Sequence, residues 1–457
     1  MRKKALLAML LALTLLLSGC ALIVKDEAVD NATEIIRMGD QVITKDKVKA
    51  EVQNQLDSMA YYYSLYGSSF DMTSPENIAA AQEEAVKALK KDLALTAKAT
   101  ELGLDKLTAE EEEKAKTTAQ ESYDGSLEYV KTNLLKDSGL EGEALDKAAA
   151  DKLTELGVSL EDYIESAKKT AVDDKLREYA IKDVAVTDEE IKAEYDSRVE
   201  KDKETYGENA GSWASAANNG TTLYYTPAGV RRVKQILTKF KEEDQTAIDD
   251  AKKAQTDANT AVTAANAKVS AAQETIDTEG VTEEIKAQAE ADLKAANEEL
   301  EKANTDLEAA NKAVEDATNK AFENITADAD EILQKLKDGE DWQKLMDEKN
   351  QDPGMKTQEK GYAVAAGMTG FDPAFVDAAM ALAKPGDVSD KVKGSSYGYY
   401  IIRYDSDEAE GAVSLDDVKE TISSALLSTK QNEAYNAAVD QWVEEAGIKV
   451  DMNALKD

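Results

Sequence analysis

The side chains of this chain that could carry out chemistry are limited in type. Its 457 residues include no His and a single Cys, at position 20. Without His there is no Ser-His-Asp or Cys-His catalytic group and no His-ligated zinc or haem. One Cys excludes both an intramolecular disulfide and a Cys-cluster metal site. Because the chain also lacks a Walker-type glycine loop, we expect neither a metal nor another cofactor.

The charge balance excludes a further class of function. The chain has 92 acidic and 55 basic residues and a formal net charge of −37. A protein that binds phosphate backbones needs a basic surface, so we expect no nucleic-acid partner. The acidity is typical of an exposed helical protein that must stay soluble.

The single Cys closes an N-terminal targeting pattern. Basic residues at 2–4 precede an apolar run over residues 5–17, which is short for a membrane span. The segment Leu17-Ser18-Gly19-Cys20 resembles the bacterial lipobox, whose Cys becomes the lipidated first residue of the mature protein. A lipid at that position would anchor the chain outside the cytoplasmic membrane. We therefore expect a lipoprotein signal peptide over 1–19, lipidation at Cys20 and a lipidated tether over 20–33.

Helical periodicity dominates the elements that follow. A short strand with a Gly-Asp turn is predicted over 36–43. Glycines and capping residues then divide the chain into helices. The predicted helices are 45–65, 75–102, 108–136, 142–155, 159–181 and one that begins after Thr187 and ends near residue 200.

Four tyrosines lie close together near the end of the first long helix. They are Tyr61, Tyr62, Tyr63 and Tyr66. Two interpretations are open: packing between helices, or a surface that binds client polypeptides.

Residues 241–325 carry a heptad pattern of small apolar residues. In the first arm these lie at positions 247, 251, 254, 258, 261 and 265, and a second arm runs from 285 to 321 after a break at Gly280. The pattern predicts an antiparallel helical hairpin that projects roughly 50–60 Å. One long helix that dimerises with a second chain is the alternative, so a homodimer stays open.

The remaining segments alternate in type. Turn-forming residues over 205–228 predict a linker, and alternation over 229–240 predicts a strand with Val233, Gln235 and Leu237 on one face. Further elements are predicted as helices over 329–337, 342–348 and 372–382, two strands within 388–404, a long helix over 415–447 and a strand over 448–450.

Five ordered segments between residues 229 and 404 resemble the parvulin (PpiC-type) family of peptidyl-prolyl cis–trans isomerases. They are Arg232–Phe240, similar to the first strand; Ala329–Trp342, similar to the first helix; Asn350–Gly354, similar to the loop with the central acid or thiol; Gly370–Leu382, similar to the helix of the proline pocket; and Lys384–Ser389 with Tyr397–Ile402, similar to the closing strands.

The flanking segments Met38–Thr44 and Val186–Ile191 resemble the N-terminal lobe of extracytoplasmic foldases of the PrsA and SurA type. With the lipobox, the resemblance implies a lipid-anchored protein of a Gram-positive bacterium. It implies an α+β fold, in which a mainly helical chaperone lobe accompanies a parvulin-like domain with a small antiparallel sheet and an inserted antiparallel coiled-coil hairpin. The implied divisions are a helical lobe over 34–204, a linker over 205–228, the parvulin-like domain over 229–404, the hairpin over 241–325 and a C-terminal helix over 405–457 that completes the lobe.

The same resemblance implies the site residues. Phe371, Phe375 and Met380 are expected to bind the substrate proline, and Asp352, Gln235 and Tyr400 to form the catalytic polar network. The simpler alternatives are that the two Phe belong to an ordinary buried helix face and that Asp352 only forms an Asp-Pro-Gly turn.

Three functions follow as hypotheses. The first is a foldase that catalyses X–Pro isomerisation in unfolded or newly secreted polypeptides; the barrier of roughly 18–20 kcal/mol can be lowered without a metal or nucleotide. The second is a holdase chaperone with a weak or inactive parvulin domain, because the family usually carries His where this chain has Gln235 and Tyr400. The third is a surface protein that binds a partner through the hairpin.

Overall fold

The computed structural model describes residues 27–455. Cys20 and the predicted signal peptide lie outside this part of the chain. The described residues divide into two compact units: one runs up to Val186 and includes the residues from Ser424 onward, and the other is Thr187–Ser423. None of the described helices is both long enough and apolar enough to cross a membrane.

The helices account for most of the described chain. In chain order they are Glu27–Asn31 (α1), Lys45–Leu65 (α2), Pro75–Leu102 (α3), Ala109–Tyr129 (α4), Gly142–Glu155 (α5), Leu160–Ile181 (α6), Asp188–Tyr206 (α7), Ala210–Asn218 (α8), Glu242–Asp277 (α9), Glu283–Lys337 (α10), Trp342–Lys349 (α11), Pro373–Ala381 (α12) and Leu415–Glu445 (α13). A π-helical turn covers Val130–Leu134, and 3-10 turns cover Pro353–Lys356 and Met452–Leu455.

The strands form three small antiparallel sheets. They are Glu34–Met38 (β1), Gln41–Thr44 (β2), Tyr225–Thr226 (β3), Arg231–Lys239 (β4), Tyr362–Val364 (β5), Val392–Lys393 (β6), Gly398–Asp407 (β7), Gly411–Ala412 (β8) and Lys449–Val450 (β9). The sheets have the strand orders β2-β1-β9, β3-β8 and β5-β4-β7-β6. The predicted α+β class, with helices in the majority, is confirmed.

The first unit is closed by the C-terminal end of the chain. Strand β9 pairs with β1, so that Val450 lies opposite Ile36. In the same unit, Trp442 of α13 is buried in a cluster with Leu95 and Leu176. Residues far apart in sequence therefore share one core there.

The tyrosine cluster (Tyr61, Tyr62, Tyr63 and Tyr66, with Phe70) lies at the end of α2 and in the loop after it. The four tyrosines are 67%, 55%, 39% and 71% exposed. The ring of Tyr62 lies 5.2 Å from that of Tyr66, and the ring of Tyr63 lies 5.2 Å from that of Phe70. Because these rings contact one another while staying open to solvent, ordinary packing between helices does not account for them.

Helices α9 and α10 form the predicted antiparallel hairpin within one chain. Its seam is built from buried alanines, and across it Lys268 forms an ion pair with Glu299 at 2.7 Å. The buried seam residues are Ala265, Ala272, Ala289, Ala296 and Ala303. The seam is thus filled without a second chain. Helix α10 also runs without a break through the segment predicted as a separate helix over 329–337, and its 55 residues span about 80 Å.

Residues 210–218, inside the predicted linker, form helix α8. Trp213 is buried there, and its indole Nε1 donates to the carbonyl oxygen of Tyr225 at 2.6 Å. At Gly211 a Cβ atom would lie 2.5 Å from the backbone nitrogen of Met368, so only glycine allows this close approach. Turn-forming residue types predict a loop, but packing of Trp213 against the core that includes Ala363 and Val364 of β5 orders the segment as a helix.

The four-stranded sheet is built around β4. Its alternation is as predicted: Val233 and Leu237 contribute to the core cluster that includes Phe375, while Ile236 packs on the other face with Trp342 of α11. The long neighbour β7 places Tyr400 opposite Leu237. This sheet positions the residues described next.

Candidate functional site

A cavity of about 330 Å³ opens on one face of the four-stranded sheet. Strands β4, β5 and β7, helix α12 and the 3-10 turn contribute its walls. The lining residues are Gln235, Leu237, Lys239, Asp352, Pro353, Tyr362, Gly370, Phe371, Asp372, Phe375, Tyr397 and Tyr400. Five of the six predicted catalytic or substrate-binding residues are therefore brought to one place.

Asp352 is the first carboxylate of the cavity. Its Oδ2 accepts hydrogen bonds from Gln235 Nε2 at 2.7 Å and from the Tyr362 hydroxyl at 2.9 Å. Its Oδ1 accepts from the backbone nitrogen of Gly354 at 2.9 Å and so begins the 3-10 turn. The turn interpretation and the site interpretation of Asp352 are therefore compatible, because one oxygen serves each.

A side-chain amide ties the Asp352 loop to the sheet. Asn350 Oδ1 accepts from the backbone nitrogen of Leu237 at 2.9 Å and from that of Asp352 at 3.0 Å. The backbone nitrogen of Gln351 donates to the carbonyl oxygen of Leu237 at 3.0 Å. These hydrogen bonds fix the position of the Asp352 carboxylate relative to strand β4.

Tyr362 is a site residue that the sequence analysis missed. Burial raises its pKa, and the neighbouring charge of Asp352 raises it further, so the phenol keeps its proton and donates. Gly361 places it: a Cβ atom there would lie 2.5 Å from the carbonyl oxygen of Val233, and its φ of +78° suits glycine. No local sequence pattern marks this residue, because only the pairing of β5 with β4 brings its side chain to Asp352.

Tyr400 lines the cavity but does not join Asp352. Its hydroxyl donates to Asp372 Oδ2 at 3.3 Å, and the backbone nitrogen of Ser395 donates to the same oxygen at 2.5 Å. Burial raises the pKa of Tyr400, and the charge of Asp372 adds to the effect. The sequence predicted one hydrogen-bond network, but the structure has two: one is centred on Asp352 and the other on Asp372.

Aromatic rings form the apolar wall. Phe371 and Phe375 lie 5.8 Å apart between ring centres, Tyr362 lies 5.0 Å from Phe371, and Tyr400 lies 5.4 Å from Phe375. Phe375 is only 2% exposed and forms the floor, whereas Phe371 is partly exposed at the mouth. The floor residue is thus also a core residue, which reconciles the two interpretations of this pair.

Met380 is the predicted site residue that does not line this cavity. Its side chain packs against the hydrophobic core of the same unit, and its carbonyl oxygen accepts from Arg231 Nη1 at 2.8 Å. It lies on α12 five residues after Phe375, and this spacing places it on a different side of the helix from Phe375.

One acceptor in the cavity has no protein partner within residues 27–455. Gln235 is 6% exposed, and its Oε1 is buried without a hydrogen bond while Nε2 donates to Asp352. An unpaired buried acceptor of this kind is uncommon in folded proteins. Over the same residues, the structure contains no cluster of three or more His, Cys, Asp or Glu side chains that could hold a metal ion.

The comparisons with known proteins agree with this geometry. Residues 307–406 match the family described as Rotamase: PPIC-type PPIASE domain. "Foldase protein PrsA" of Clostridium botulinum is 34% identical over 125 residues, which are 27% of this chain and 36% of that protein. "Foldase protein PrsA 2" of Listeria innocua is 34% identical over 130 residues, 28% of this chain and 43% of that protein.

Two solved structures are similar at lower identity. The foldase protein PrsA from Streptococcus pneumoniae is 13% identical, with 93% of this chain and 97% of that chain covered and a TM-score of 0.27. A SurA-like chaperone of Campylobacter jejuni is 16% identical, with 92% and 99% covered and a TM-score of 0.24. Scores at this level do not establish a common arrangement of the whole chain.

The family match begins inside α10, so β4 lies outside it, separated by the hairpin. The structure nevertheless pairs β4 with both β5 and β7, and Gln235 of β4 reaches Asp352. Over residues 307–406 the chain therefore matches the PPIC-type, or parvulin, peptidyl-prolyl isomerase domain, and over about a quarter of its length it is similar to foldases named PrsA.

Proposed function

We propose that this protein is an extracytoplasmic foldase that catalyses cis–trans isomerisation of X–Pro bonds in unfolded or newly secreted polypeptides. The observation that carries the proposal is the ring-walled cavity with a carboxylate held by two neutral donors, Gln235 and Tyr362. The parvulin family match and the PrsA relatives support it. Since the matched region is 36% of the C. botulinum relative, activity and substrates are proposals for this chain.

Isomerisation requires the site to favour the twisted amide over the planar one. A planar amide separates charge between its nitrogen and oxygen through resonance, and twisting removes that resonance. The rings of Phe371 and Phe375 surround the pyrrolidine ring and so take the X–Pro amide out of water. Because the planar amide separates more charge than the twisted amide, it loses more solvation energy there. This difference lowers the barrier, because only stabilisation specific to the transition state raises the rate.

Asp352 adds an electrostatic contribution in the same direction. A carboxylate beside the carbonyl oxygen of the residue before proline opposes the negative charge of the planar amide more than that of the twisted amide. Gln235 and Tyr362 keep this carboxylate fixed.

The test is a proline-peptide isomerisation assay on the chain from residue 21 onward. We expect a rate above the uncatalysed one, and loss of most of it in Asp352→Ala combined with Phe371→Ala. Phe371 is chosen because it is partly exposed, whereas removal of the buried Phe375 would also weaken the core.

The matched control is Asp347→Ala combined with Phe70→Ala, which removes the same two residue types away from the cavity. It should retain the full rate. Absence of any rate enhancement by the unmodified protein would remove the isomerase proposal.

A holdase chaperone is the second candidate, and the tyrosine cluster favours it. Contiguous exposed aromatic rings are uncommon on proteins that act alone, and they mark surfaces that bind other polypeptides. As a holdase, the protein would suppress aggregation of an unfolded protein even as the Asp352→Ala/Phe371→Ala variant. If that variant lost suppression together with isomerase activity, the proline cavity would carry both functions.

We also propose that a lipid at Cys20 anchors the chain to the outer face of the cytoplasmic membrane of a Gram-positive bacterium. The lipobox-like sequence supports this proposal. In cell fractionation, Cys20→Ala should move the protein from the membrane fraction to the soluble or secreted fraction. An unchanged membrane fraction would remove the anchor.

A further inference from the structure

A second cavity, of about 560 Å³, lies on the face of the four-stranded sheet opposite to Gln235 and Tyr400. Arg403 lines it and stands two residues along β7 from Ile401, which packs with Trp342 on that face. The lining residues of this Arg403 cavity are Leu333, Leu336, Lys337, Glu340, Trp342, Gly386, Val388, Ser389, Asp390, Arg403, Tyr404 and Asp405. None of them lines the cavity with Asp352, so the two cavities are separate spaces on one sheet.

The walls of the Arg403 cavity are held in place by the fold. The backbone nitrogen of Gly386 donates to the carbonyl oxygen of Tyr404 at 2.8 Å. That of Ser389 donates to the carbonyl oxygen of Ile402, also at 2.8 Å. A second wall comes from α10 and α11, where Trp342 is only 6% exposed. The cavity is therefore formed before any ligand binds.

The guanidinium of Arg403 is fixed but keeps free hydrogen-bond donors. Its Nε donates to Asp405 Oδ1 at 2.6 Å, and its central carbon lies 5.2 Å from the centre of the Trp342 ring. Neither Nη atom forms a hydrogen bond with any residue in 27–455. These N–H groups lie in one plane, which is the geometry that a carboxylate accepts in pairs.

The carboxylates around the cavity already have cationic partners. The pairs are Glu340 with Lys344 at 2.9 Å, Asp390 with Lys337 at 3.6 Å, and Asp405 with Arg403 at 2.6 Å and Lys234 at 3.8 Å. Four positive and three negative side chains give a local sum of +1. The acidity of the whole chain acts weakly there, because salt screens charges beyond about 8 Å at physiological ionic strength.

Apolar side chains lie beside the guanidinium. Leu333 and Leu336 of α10 are partly exposed in the cavity, and Val388 is 37% exposed. A ligand that fills this space and pairs with Arg403 therefore combines a carboxylate with an adjacent apolar group. The volume lies within the range of about 300–1,000 Å³ that ligand sites have.

We infer that the Arg403 cavity binds the C-terminal residue of a polypeptide, with the carboxylate on Arg403 and the apolar side chain against the two leucines. A C-terminal residue carries both groups on one Cα atom. In an internal Asp or Glu, the carboxylate takes the place of the apolar side chain. The inference does not depend on the proposed isomerase activity, because that activity is placed on the other face of the sheet.

The test measures binding of three labelled peptides to the chain from residue 21 onward by fluorescence anisotropy. The first probe is the hexapeptide Gly-Ser-Gly-Ser-Leu-Leu with a free C-terminal carboxylate and fluorescein on its N-terminus. The second is the same peptide with an amidated C-terminus, and the third ends in Ser-Ser with a free carboxylate. None contains proline. We expect the first peptide to bind at least about tenfold more tightly than the second and about fivefold more tightly than the third.

Arg403→Gln is the test variant, because it removes the charge and the paired donors. It should weaken binding of the free-acid Leu-Leu peptide about tenfold and change binding of the amidated peptide less than twofold. Arg198→Gln is the matched control: Arg198 also pairs through Nε with a carboxylate, that of Glu194 at 2.7 Å, and lies 5.1 Å from the ring centre of Tyr224. This control should change neither peptide.

Val388→Trp is a second test that leaves Arg403 in place. The larger ring, on a partly exposed side chain, should fill the cavity and weaken binding of the free-acid Leu-Leu peptide about tenfold. Unchanged binding in this variant would overturn the inference. Equal binding of the free-acid and amidated peptides to the unmodified protein, or an equal loss for both in Arg403→Gln, would also overturn it.

The isomerase assay separates this site from the proposed function. Arg403→Gln should change the isomerase rate less than twofold, since Arg403 lies on the other face of the sheet. A protein that isomerises proline peptides without a preference for the free acid would keep the isomerase proposal and lose the C-terminal site. Preference for the free acid without isomerisation would give the reverse result.

Discussion

The two aromatic clusters of this chain differ in what surrounds the rings. In the cavity on the four-stranded sheet, Tyr362 and Tyr400 donate to carboxylates, and Phe375 is buried in the core of the sheet. In the tyrosine cluster, Tyr62 and Tyr66 contact each other and stay more than half exposed. One cluster is therefore a shaped cavity with fixed polar groups, and the other is an open surface.

This difference separates two kinds of recognition. A cavity with oriented carboxylates selects a particular group and can favour one conformation of it. An exposed ring surface binds apolar segments with little regard to sequence. Between Lys49 and Lys87 the chain has six acidic and no basic residues, so the tyrosine cluster lies in an acidic segment. Polypeptides that carry basic residues beside apolar ones would suit it.

The largest expected effect concerns stability: removal of a buried ring of the cavity should destabilise the fold, whereas removal of an exposed ring of the tyrosine cluster should not. We expect Phe375→Ala to lower the free energy of unfolding of its unit by about 3–5 kcal/mol, since a fully buried ring is removed. Tyr66→Ala, at an exposed ring, should change it by less than about 0.5 kcal/mol. Urea denaturation followed by tryptophan fluorescence would measure both. Equal losses of unfolding free energy in the two variants would contradict the difference between the buried and the exposed cluster.

The second prediction distinguishes the two carboxylates within the cavity. Asp352→Asn should lower isomerase kcat/KM roughly tenfold to hundredfold, because an amide cannot accept from both Gln235 and Tyr362 on the same atom with the same strength. Asp372→Asn should lower it less than about threefold, since Asp372 mainly caps α12 and holds Ser395. The reverse order would place the reaction at Asp372.

The third prediction concerns the open surface. Replacement of Tyr61, Tyr62 and Tyr66 by Ser should reduce suppression of client aggregation by at least about threefold and leave the isomerase rate unchanged, because the two clusters use different rings. Light scattering of an unfolded client would measure the first effect. Tyr129→Ser, at another exposed tyrosine in the same unit, is the control and should have no effect. Loss of both aggregation suppression and isomerase activity would show that the two clusters serve one function.

The smallest expected effect is on pH dependence. Burial raises the pKa of Tyr362 and Tyr400, so the native state keeps protons that the unfolded state releases above about pH 10. Stability from these groups is therefore complete below that pH and declines above it. We expect a shallower decline for Tyr362→Phe in pH-dependent denaturation. A decline that is unchanged in this variant would contradict the assigned burial.

The same reasoning predicts a flat activity profile. The chain has no His, which is the side chain that ordinarily titrates near pH 6.5. The isomerase rate should therefore vary less than about twofold between pH 6 and 9. A pronounced optimum in this range would require a group outside the network described above.

Patterns between near neighbours in sequence determined much of this protein. The seven-residue repeat of alanines predicted the hairpin, the alternation over 229–240 predicted β4, and Thr187 predicted the start of α7, where its side chain accepts from the backbone of Glu190. These features depend on residues two to seven positions apart, so the sequence alone carries them. The resemblance to parvulins supplied Asp352, Phe371 and Phe375.

Tertiary structure alone decided the partners of these groups. Gln235 and Asp352 are 117 residues apart, and hydrogen bonds of Asn350 and Gln351 with Leu237 of β4 bring them to 2.7 Å. The pairing of β4 with β5 introduced Tyr362, and Tyr400 of β7 donates to Asp372 instead of Asp352. Exposure of the tyrosine cluster is equally a matter of which elements cover α2. Residue types fix what a group can do, but contacts between distant segments fix which groups meet.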